Sequence, residues 1–431
     1  MGRFFVLFCY LLTAIVVRSQ TLMPADEMRL TPCLSASNGL AYPGPKQQKL
    51  TPPPAGKRPF YLSHYGRHGS RYMINPVDYN YLLNALVRAE REQKLTALGQ
   101  ELLRRVRVVA AEASDRLGEL TPIGASQQRD IGRRMVERFP QIFKKNAFVD
   151  ARSTTVVRCV RSMENVLQQM IRMNPKLDVS QDASYRDMNY MNLQDRQITE
   201  RSRTVEGRQT YDDFCRRHEC WQRPVYALFK DTAYANHVAG GERFCYYLFR
   251  MAGNLQNTRA AETLSLYDFF TPEEILDNWR KENASWFLSF GYTPLNGGQQ
   301  PFIQRNLLQR IIEQADSCLL LDRPGAHLRF GHETVVLPLV CLMGLNGMDK
   351  SIGCLDSLEQ EGWVNYRVFP MACNVQLVFY RKNAADKDVL VKVLLNENEA
   401  TLPLSTSQAP YYRWTDVRRY WQGKLASYKN E

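Results

Sequence analysis

The chain has 431 residues, of which 44% are hydrophobic and 23% are charged, and its formal net charge is +12. These values are typical of a folded globular protein with one large or two medium domains. The positive charges form no long block, which argues against a basic tail. An excess of this size suits anionic small molecules, membrane surfaces and nucleic acid about equally, and by itself it selects none of them.

Residues 1–19 have the pattern of a secretory signal peptide. Arg3 precedes an apolar run from Phe4 to Val17, and small residues allow cleavage before Gln20. A retained anchor is the less favoured alternative, because the run is shorter than the ~20 residues of a spanning helix. We therefore expect an exported protein, periplasmic, extracellular or in the lumen of a secretory pathway, without stable membrane insertion after cleavage.

An oxidising compartment would permit disulfides. Nine cysteines follow the predicted signal peptide, and since nine is odd, at least one is expected to be free. Cys215, His218 and Cys220 in "CRRHEC" are possible metal ligands, but their spacing fits no common zinc pattern. We favour a loop disulfide or buried thiols at this segment.

The stretch "FYLSHYGRHGSRY" begins as a strand and continues as a loop. "FYLSHY" alternates apolar and small polar residues, as strands do, after the proline-rich "TPPPAGKRP". The loop carries Arg67, His68 and Arg71, which suit either a solvated basic turn or an anion pocket. Ligands bind at the carboxyl ends of strands in open α/β sheets, and this position favours the pocket.

Two helices are predicted from the repeated pattern Leu-Thr-x-x-Gly. Thr96 and Thr121 are the expected N-caps, and Pro122 suits the first helical position. Apolar residues spaced by four predict a buried stripe on each helix: Leu98, Leu102 and Val106 on one, and Ile131, Met135 and Phe139 on the other.

A strand, a turn and a helix are predicted from "VDARSTTVVRCVRSMENVLQQM". Three arginines, Arg152, Arg158 and Arg161, lie near the start of that helix. Residues 195–300 are less regular and contain helical stretches, and we interpret them as a mostly helical cap. The predicted α/β core, a mainly parallel sheet flanked by helices, then comprises residues 20–194 and 301–431.

A second anion site is predicted in "AHLRFGHETVVLPLVCLMGL". His327 to Phe330 suit a strand, and Val335 onward suits a buried helix with Thr334 as cap and Pro338 in its first turn. His332 and Glu333 then lie at a helix N-terminus, which attracts anions.

These residue types together suit phosphoryl transfer. The transferred group spreads negative charge over three oxygens, which the planar guanidinium of arginine binds through paired hydrogen bonds. A histidine that is unprotonated near neutral pH can act as the nucleophile, and a carboxylic acid can protonate the leaving oxygen.

The order of "RHGSR", "LTPIGASQQRDIGRRM", "RSTTVVRCVRS" and "GHET" resembles the histidine acid phosphatase branch of the histidine phosphatase superfamily. Within it, "SHYGRHGSRY", "GYTPLNGGQQPF" and the C-terminal "PMACNVQLVFYRKN" are most similar to the multiple inositol-polyphosphate phosphatases, or phytases. The resemblance covers roughly residues 54–423.

The resemblance implies a role for each matching residue. His68 would attack phosphorus and become phosphohistidine, and Glu333 would be the proton donor. Arg67, Arg71, Arg158 and His332 would bind the transferred phosphate. No cofactor, metal or nucleic acid is implied, and the expected partner is a small phosphorylated substrate, phytate or another inositol polyphosphate.

The chain departs from the family pattern at "HET". Inositol-polyphosphate phosphatases usually carry His-Ala-Glu and other members carry His-Asp, whereas Glu333 here directly follows His332. The alternatives left open are a broad acid phosphatase acting on sugar phosphates, a phosphate-ester binding protein and a mutase. A retained His68 and Glu333 argue against a pure binder, and the predicted export argues against a mutase of central metabolism.

Overall fold

A computed structural model describes residues 22–193 and 195–428. The predicted signal peptide, residues 1–19, lies outside these ranges. Within them, no helix combines the length and the apolar character needed to span a bilayer.

One mixed β-sheet forms the centre of the molecule. Its strands in chain order are β1 (Arg58–Arg67), β2 (Phe148–Ser153), β3 (Asp178–Asp182), β4 (Gly325–Gly331), β5 (Asn374–Arg381), β6 (Leu390–Leu395), β7 (Asn398–Glu399) and β8 (Tyr412–Arg413). Their spatial order is β3-β2-β4-β1-β5-β6-β7, and β8 pairs with β6. Strands β3, β2, β4 and β1 are parallel, and the strands beyond β1 pair in antiparallel fashion.

Some helices pack on the two faces of the sheet. Others pack against one another in a hydrophobic core of their own. The helices of the first half of the chain are α1 (Pro24–Leu30), α2 (Val77–Arg91), α3 (Ala97–Glu112), α4 (Pro122–Arg138), α5 (Val157–Met173), α6 (Met188–Met191), α7 (Arg196–Arg201) and α8 (Val205–Arg217). Those of the second half are α9 (Gln222–Tyr226), α10 (Thr232–His237), α11 (Gly241–Leu255), α12 (Pro272–Phe290), α13 (Arg305–Leu319), α14 (Glu333–Met343) and α15 (Trp414–Ala426).

Strand β1 separates two hydrophobic cores because its side chains alternate between the faces of the sheet. Tyr61 and Tyr65 pack with residues of α13, α14 and α15 on one face. Leu62 packs with residues of α4 and α5 on the other. The α/β class, with helices on both faces of the sheet, is therefore confirmed.

The segment interpreted as a cap, residues 195–300, contains helices α7 to α12. A third hydrophobic core joins α2 and α3 to α9, α10 and α11. Helices α2 and α3, which lie between β1 and β2 in the chain, therefore pack with helices of the predicted cap.

The segment before β1 also packs on these helices. Residues 24–39, which we call the N-terminal arm, consist of α1 and a 3₁₀ segment, Pro32–Gly39. The arm lies against α11 and α12, and Trp279 of α12 is fully buried in a small core beneath it. The arm thereby reaches the end of β1 where the "RHGSR" loop begins.

Two local predictions are wrong. Helix α14 begins at Glu333 with His332 as its N-cap, so Thr334 is not the cap, and Pro338 lies inside the helix rather than in its first turn. Leu98 of α3 is 43% exposed. The adjacent Gly99 packs instead against the backbone at Leu228, where an added Cβ would collide with the Leu228 carbonyl.

Candidate active site

The predicted site residues meet at the carboxyl edge of the parallel strands. Arg67 ends β1 and pairs in register with Gly331, the last residue of β4. His332 and Glu333 follow directly after β4, and α5, which carries Arg158, begins shortly after β2 ends. Parallel pairing therefore brings segments from three distant parts of the chain to one edge.

Arg67 and Glu333 form a buried ion pair. The Nε atom of Arg67 lies 2.9 Å from Oε2 of Glu333, although the alignment does not meet hydrogen-bond criteria. Nη1 of Arg67 donates to the carbonyl of Asn38 at 2.6 Å and to that of Phe369 at 3.0 Å. Among the described residues, Nη2 of Arg67 is buried without a partner.

His68 presents an unprotonated nitrogen toward this pair. Its Nδ1 lies 2.9 Å from the Gly69 carbonyl, and since a carbonyl only accepts, Nδ1 carries the proton. Nε2 is then the lone-pair nitrogen, 4.0 Å from Oε2 of Glu333. Burial, followed by the charges of Arg67 and Arg71, holds the pKa of His68 well below its usual range. His68 is therefore neutral and oriented, with the Nε2 lone pair available to an electrophile.

Further buried nitrogens surround His68. Nε of Arg71, Nε of Arg158 and Nδ1 of His332 have no hydrogen-bond partner in the part of the chain that the structure describes. Arg71, Arg158 and His332 all act electrostatically on His68. The buried guanidinium N–H groups of Arg71 and Arg158 cost free energy while they lack acceptors, and an anion bound among them removes that cost. The cluster has the composition of a phosphate cradle.

His332 is neutral as well. Burial lowers its pKa to about 4, which Glu333 opposes and Arg158 reinforces. Its ring stands edge-on to that of His68, with centroids 5.7 Å apart, and its Nε2 lies 3.6 Å from the Cys159 thiol. Neither histidine adds positive charge to the cradle near neutral pH.

Glu333 is ionised where it lies. Burial raises its pKa, but the charges of Arg67 and Arg71 outweigh burial and lower it to about 2. Oε1 accepts a hydrogen bond of 3.1 Å from Nδ2 of Asn38. The carboxylate is fixed between the N-terminal arm and Arg67, within reach of any group bound to His68.

Close packing holds the "RHGSR" loop against α4 and α5. An added Cβ on Gly69 would collide with the Gly124 carbonyl, and one on Gly124 would collide with the Ser70 carbonyl. The Gly69 N–H donates to the Ser162 hydroxyl at 3.1 Å, and this hydroxyl donates to the Arg158 carbonyl at 2.8 Å. The "RHGSR" loop and Arg158 are thereby coupled through one hydroxyl group.

The sequence analysis missed the support from outside the motifs. Asn38 contacts both members of the Arg67–Glu333 pair, and Asn257 bridges the arm to the loop by donating to the Gly39 carbonyl and accepting from Ser70. Ser37, which precedes Asn38 in the chain, adopts a left-handed φ of 55°, a strained conformation typical of functional sites. Single asparagines in irregular segments carry no pattern that could have identified them.

Cavities alone do not identify this site. A cavity of about 680 Å³ lies beside α7, α8 and α12 and is lined by none of the predicted site residues. One of about 660 Å³ is lined by Arg158, and one of about 60 Å³ by Arg71 and Asn38. We locate the site by its chemistry, since the cradle brings the neutral His68 and His332 together with several arginines at the carboxyl edge of the parallel strands.

The "CRRHEC" segment contains no disulfide. Cys215 and Cys220 are free, partly buried thiols, so of the two alternatives expected for this segment the structure shows thiols. Burial raises the pKa of both. His218 instead pairs with Asp277 through Nδ1 at 2.8 Å. In residues 22–193 and 195–428, no group of three or more His, Cys, Asp or Glu side chains is arranged to hold a metal ion.

Solved structures of similar fold include phosphatases. The multiple inositol polyphosphate phosphatase of Bifidobacterium longum, in complex with inositol hexasulfate, has a TM-score of 0.72 at 17% identity over 89% of this chain and 96% of its own. The phytase from D. castellii has 0.68 at 14% identity over 92% and 86%. Hafnia alvei phytase has 0.51 at 13% identity over 86% and 98%. At such identities the likeness shows a shared fold.

Family membership follows from the sequence match. Residues 66–396, more than half of the chain, match the model of branch 2 of the histidine phosphatase superfamily. This range begins one residue before Arg67 and includes His68, Arg158 and Glu333. The chain belongs to branch 2 of the histidine phosphatase superfamily.

Proposed function

We propose that the protein is an exported phosphomonoesterase that hydrolyses phytate or other inositol polyphosphates through a phosphohistidine intermediate. The observation that carries the proposal is His68: a buried, neutral imidazole whose Nε2 faces the cradle while Nδ1 is held by the Gly69 carbonyl. A nucleophile of this kind needs no deprotonation before it attacks.

In the first step, the Nε2 lone pair of His68 forms a bond to phosphorus as the bond from phosphorus to the substrate oxygen breaks. Arg67, Arg71, Arg158 and His332 bind the three remaining phosphoryl oxygens, where negative charge develops. The Nδ1 proton stays on the ring, hydrogen-bonded to the Gly69 carbonyl. The leaving oxygen must take a proton, and Glu333 is the carboxyl group within reach of the bound phosphate.

Glu333 takes up this proton when the substrate binds. Arg67 and Arg71 keep its pKa at about 2. A phosphate dianion bound between them neutralises their charge and repels the carboxylate, and both effects raise the pKa of Glu333. The Glu333 carboxyl then donates to the leaving oxygen and becomes a carboxylate again.

In the second step, water attacks the phosphohistidine. The Glu333 carboxylate accepts a proton from the water, the new oxygen bonds to phosphorus, and the bond from Nε2 to phosphorus breaks. Inorganic phosphate leaves and His68 returns to its neutral form. The same carboxyl group thus acts as acid in one step and as base in the next.

Three observations support inositol polyphosphates as substrates. The chain carries a net charge of +12, which favours highly anionic ligands. The structural relatives include a multiple inositol polyphosphate phosphatase solved with inositol hexasulfate and a phytase. The "GYTPLNGGQQPF" segment resembles the same subgroup. Export is supported by the signal-peptide pattern of residues 1–19.

The test is phosphate release from phytate and from sugar phosphates, measured in the presence of chelator. We expect release from phytate by the wild type, loss of at least ~10³-fold in His68→Ala, and a loss of ~10²–10⁴-fold in Glu333→Gln. Release from sugar phosphates alone would show a broad acid phosphatase instead. Release from neither substrate would contradict the enzymatic function itself.

A further inference from the structure

A small cavity lies directly beside the phosphate cradle. Its walls come from the "RHGSR" loop, the N-terminal arm and helices α11 and α12. Arg71 of the cradle and Asn38, the partner of Glu333, line one side, and Arg250 and Glu282 line the other. Neither Arg250 nor Glu282 belongs to a motif of the superfamily resemblance.

Arg250 has a donor available to a ligand. Its Nε is buried and has no hydrogen-bond partner among the described residues. Its Nη2 lies 3.5 Å from Oδ1 of Asp78, and its guanidinium stands over the ring of Tyr246 at 5.4 Å. The side chain is therefore held in place from two directions while one N–H group lacks an acceptor.

Arg250 also belongs to the electrostatic field of the cradle. Burial lowers the pKa of Arg71 to about 10; Glu333 opposes this, while Arg67, Arg158 and Arg250 contribute to it as like charges. An anion that contacts both Arg71 and Arg250 relieves repulsion between them. A substrate with a second phosphate next to the scissile one has this arrangement of charge.

Glu282 disfavours a phosphate in this cavity, whereas Arg250 favours one. It lines the same cavity from α12, and burial raises the pKa of its carboxyl group, against the attraction of Arg250 and Lys281. An ionised carboxylate here repels a bound phosphate but accepts a hydrogen bond from a hydroxyl group. Glu282 therefore limits how strongly the subsite favours phosphate.

The size of the cavity fits a single substituent. It measures about 60 Å³, which is room for about four water molecules at ~15 Å³ each. One phosphate group has a similar number of oxygens, whereas a whole inositol ring with its substituents is much larger. We therefore place the ring outside this cavity, with one substituent pointing in.

We propose that Arg250 and Glu282 form a subsite for the substituent next to the scissile phosphate, in which Arg250 binds a second phosphate and Glu282 weakens that binding. The inference rests on the proposed function for its substrate class. Its consequence is selectivity: Arg250 favours polyphosphorylated substrates over simple monoesters, and Glu282 sets the extent of that preference.

The test is calorimetric titration with inositol hexakissulfate, which is not hydrolysed as a phosphate ester, and with inorganic phosphate, which fills only the cradle. Wild type is compared with Arg250→Met, Arg250→Lys and Glu282→Gln. We expect Arg250→Met to weaken the hexakissulfate about tenfold more than it weakens phosphate. Arg250→Lys retains part of this difference, and Glu282→Gln changes the ratio about threefold in the opposite direction.

Arg243→Met is the matched control. Arg243 lies on the same helix, where it stacks on the rings of Tyr81 and Tyr247 outside the cavity, so the variant removes one charge without touching the subsite. We expect its two dissociation constants to stay within twofold of wild type. Thermal unfolding of each variant verifies that it is folded.

The proposal is overturned if Arg250→Met weakens both ligands equally, if Glu282→Gln leaves their ratio unchanged, or if wild type does not bind the hexakissulfate. Phosphate release from phytate by the wild type is measured in parallel. Binding as expected without release would contradict the proposed hydrolysis and keep the subsite. Phosphate release together with an unchanged binding ratio in the variants would support the proposed hydrolysis and contradict the subsite.

Discussion

Asn38 contacts both Glu333 and Arg67 from a segment that lies outside every recognised motif. Its side chain donates to the carboxylate at 3.1 Å, and its carbonyl accepts from Arg67 at 2.6 Å. A hydrogen bond to the charged form of a carboxyl group favours that form, whereas a second carboxylate in its place disfavours it. We therefore expect the side chain at position 38 to adjust the pKa of the proposed proton donor, in addition to the larger effect of Arg67 and Arg71.

The variant Asn38→Asp tests this role. The rate kcat reports ionisations of the enzyme–substrate complex, and a proton donor loses activity as the pH rises through its pKa there. We expect the alkaline limb of kcat to move to higher pH by about one unit, because the new carboxylate raises the pKa of Glu333.

The variant Asn38→Ala removes only the hydrogen bond and should move the limb in the same direction by less. A pH profile of both variants that matches wild type, with only its height reduced, would show that Asn38 merely supports the fold.

At the scale of elements, two helices begin with the same cap but differ in what the cap contacts. Thr96 accepts from the Gly99 N–H and donates to the Ala227 carbonyl at the start of α3. Thr121 accepts from the Gly124 N–H and donates to the Ser70 carbonyl at the start of α4. Only the second cap is bonded to the loop that carries His68.

Replacing each threonine by alanine separates stability from function. Loss of an N-cap costs about 1 kcal/mol, so we expect Thr96→Ala and Thr121→Ala to lower the free energy of unfolding similarly in urea titrations. Phosphate release should fall about tenfold in Thr121→Ala, because the "RHGSR" loop loses a contact, and should be unchanged in Thr96→Ala. Equal activity of the two variants would show that the loop does not depend on the side chain of the Thr121 cap.

The sequence predicted the elements that carry the motifs because their signals are local. Alternation identified β1, the Thr-x-x-Gly caps placed the starts of α3 and α4, and parallel pairing explains why Arg67, Arg158 and His332 meet. Leu98 was wrongly assigned to the buried face of α3, because the spacing of apolar residues cannot show which side of a helix a distant segment of the protein covers. Thr334 was mistaken for a cap because the chain turns into α14 directly after β4.

Contacts between distant segments were not predictable in the same way. Asn38 and Glu333 are far apart in the chain and meet only because the N-terminal arm folds over α11 and α12. Arg250 and Glu282 lie in the helical region that the sequence described least well. Their importance rests on burial and on a missing hydrogen-bond partner, which the sequence does not encode locally.

For the whole molecule, the packing suggests where the cap begins. We propose that α2 and α3 belong to the cap together with α9, α10 and α11, because these helices share one hydrophobic core. Ile198 of α7, Phe214 of α8 and Phe287 of α12 pack instead in the core of the sheet. The predicted core of residues 20–194 and 301–431 would then lose residues 77–112. The cradle would lie between the two units, with the N-terminal arm contacting both.

Buried histidines make the stability of the molecule dependent on pH. Burial is the largest cause that lowers the pKa of His64 and His327 to about 3 and that of His332 to about 4, and it also lowers the pKa of His68. In the unfolded chain these groups titrate near the ordinary value of 6.5. As the pH falls through that value, the unfolded state therefore takes up protons that the folded state does not.

Stability should accordingly decrease as the pH falls from 7.5 to 5.0. Each histidine contributes a loss of about 1.4 kcal/mol per pH unit below its unfolded pKa. Glu333 adds no slope in this window, because both its folded pKa of about 2 and its ordinary value of 4.5 lie below it. Urea unfolding at several pH values measures the effect. His64 lies outside the cradle, and His64→Leu should reduce the slope of the free energy of unfolding against pH by the contribution of one histidine. A free energy of unfolding that rises toward pH 5.0 would contradict this account.

The central claim is that His68 becomes phosphorylated, and trapping the intermediate tests it most directly. Wild-type protein is mixed with phytate in chelator, quenched in alkali within the first turnovers and analysed by peptide mass spectrometry. The account predicts one acid-labile, alkali-stable phosphoryl group on His68, absent from His68→Ala. Steady phosphate release without any phosphorylated histidine, or with His68→Ala still active, would contradict it.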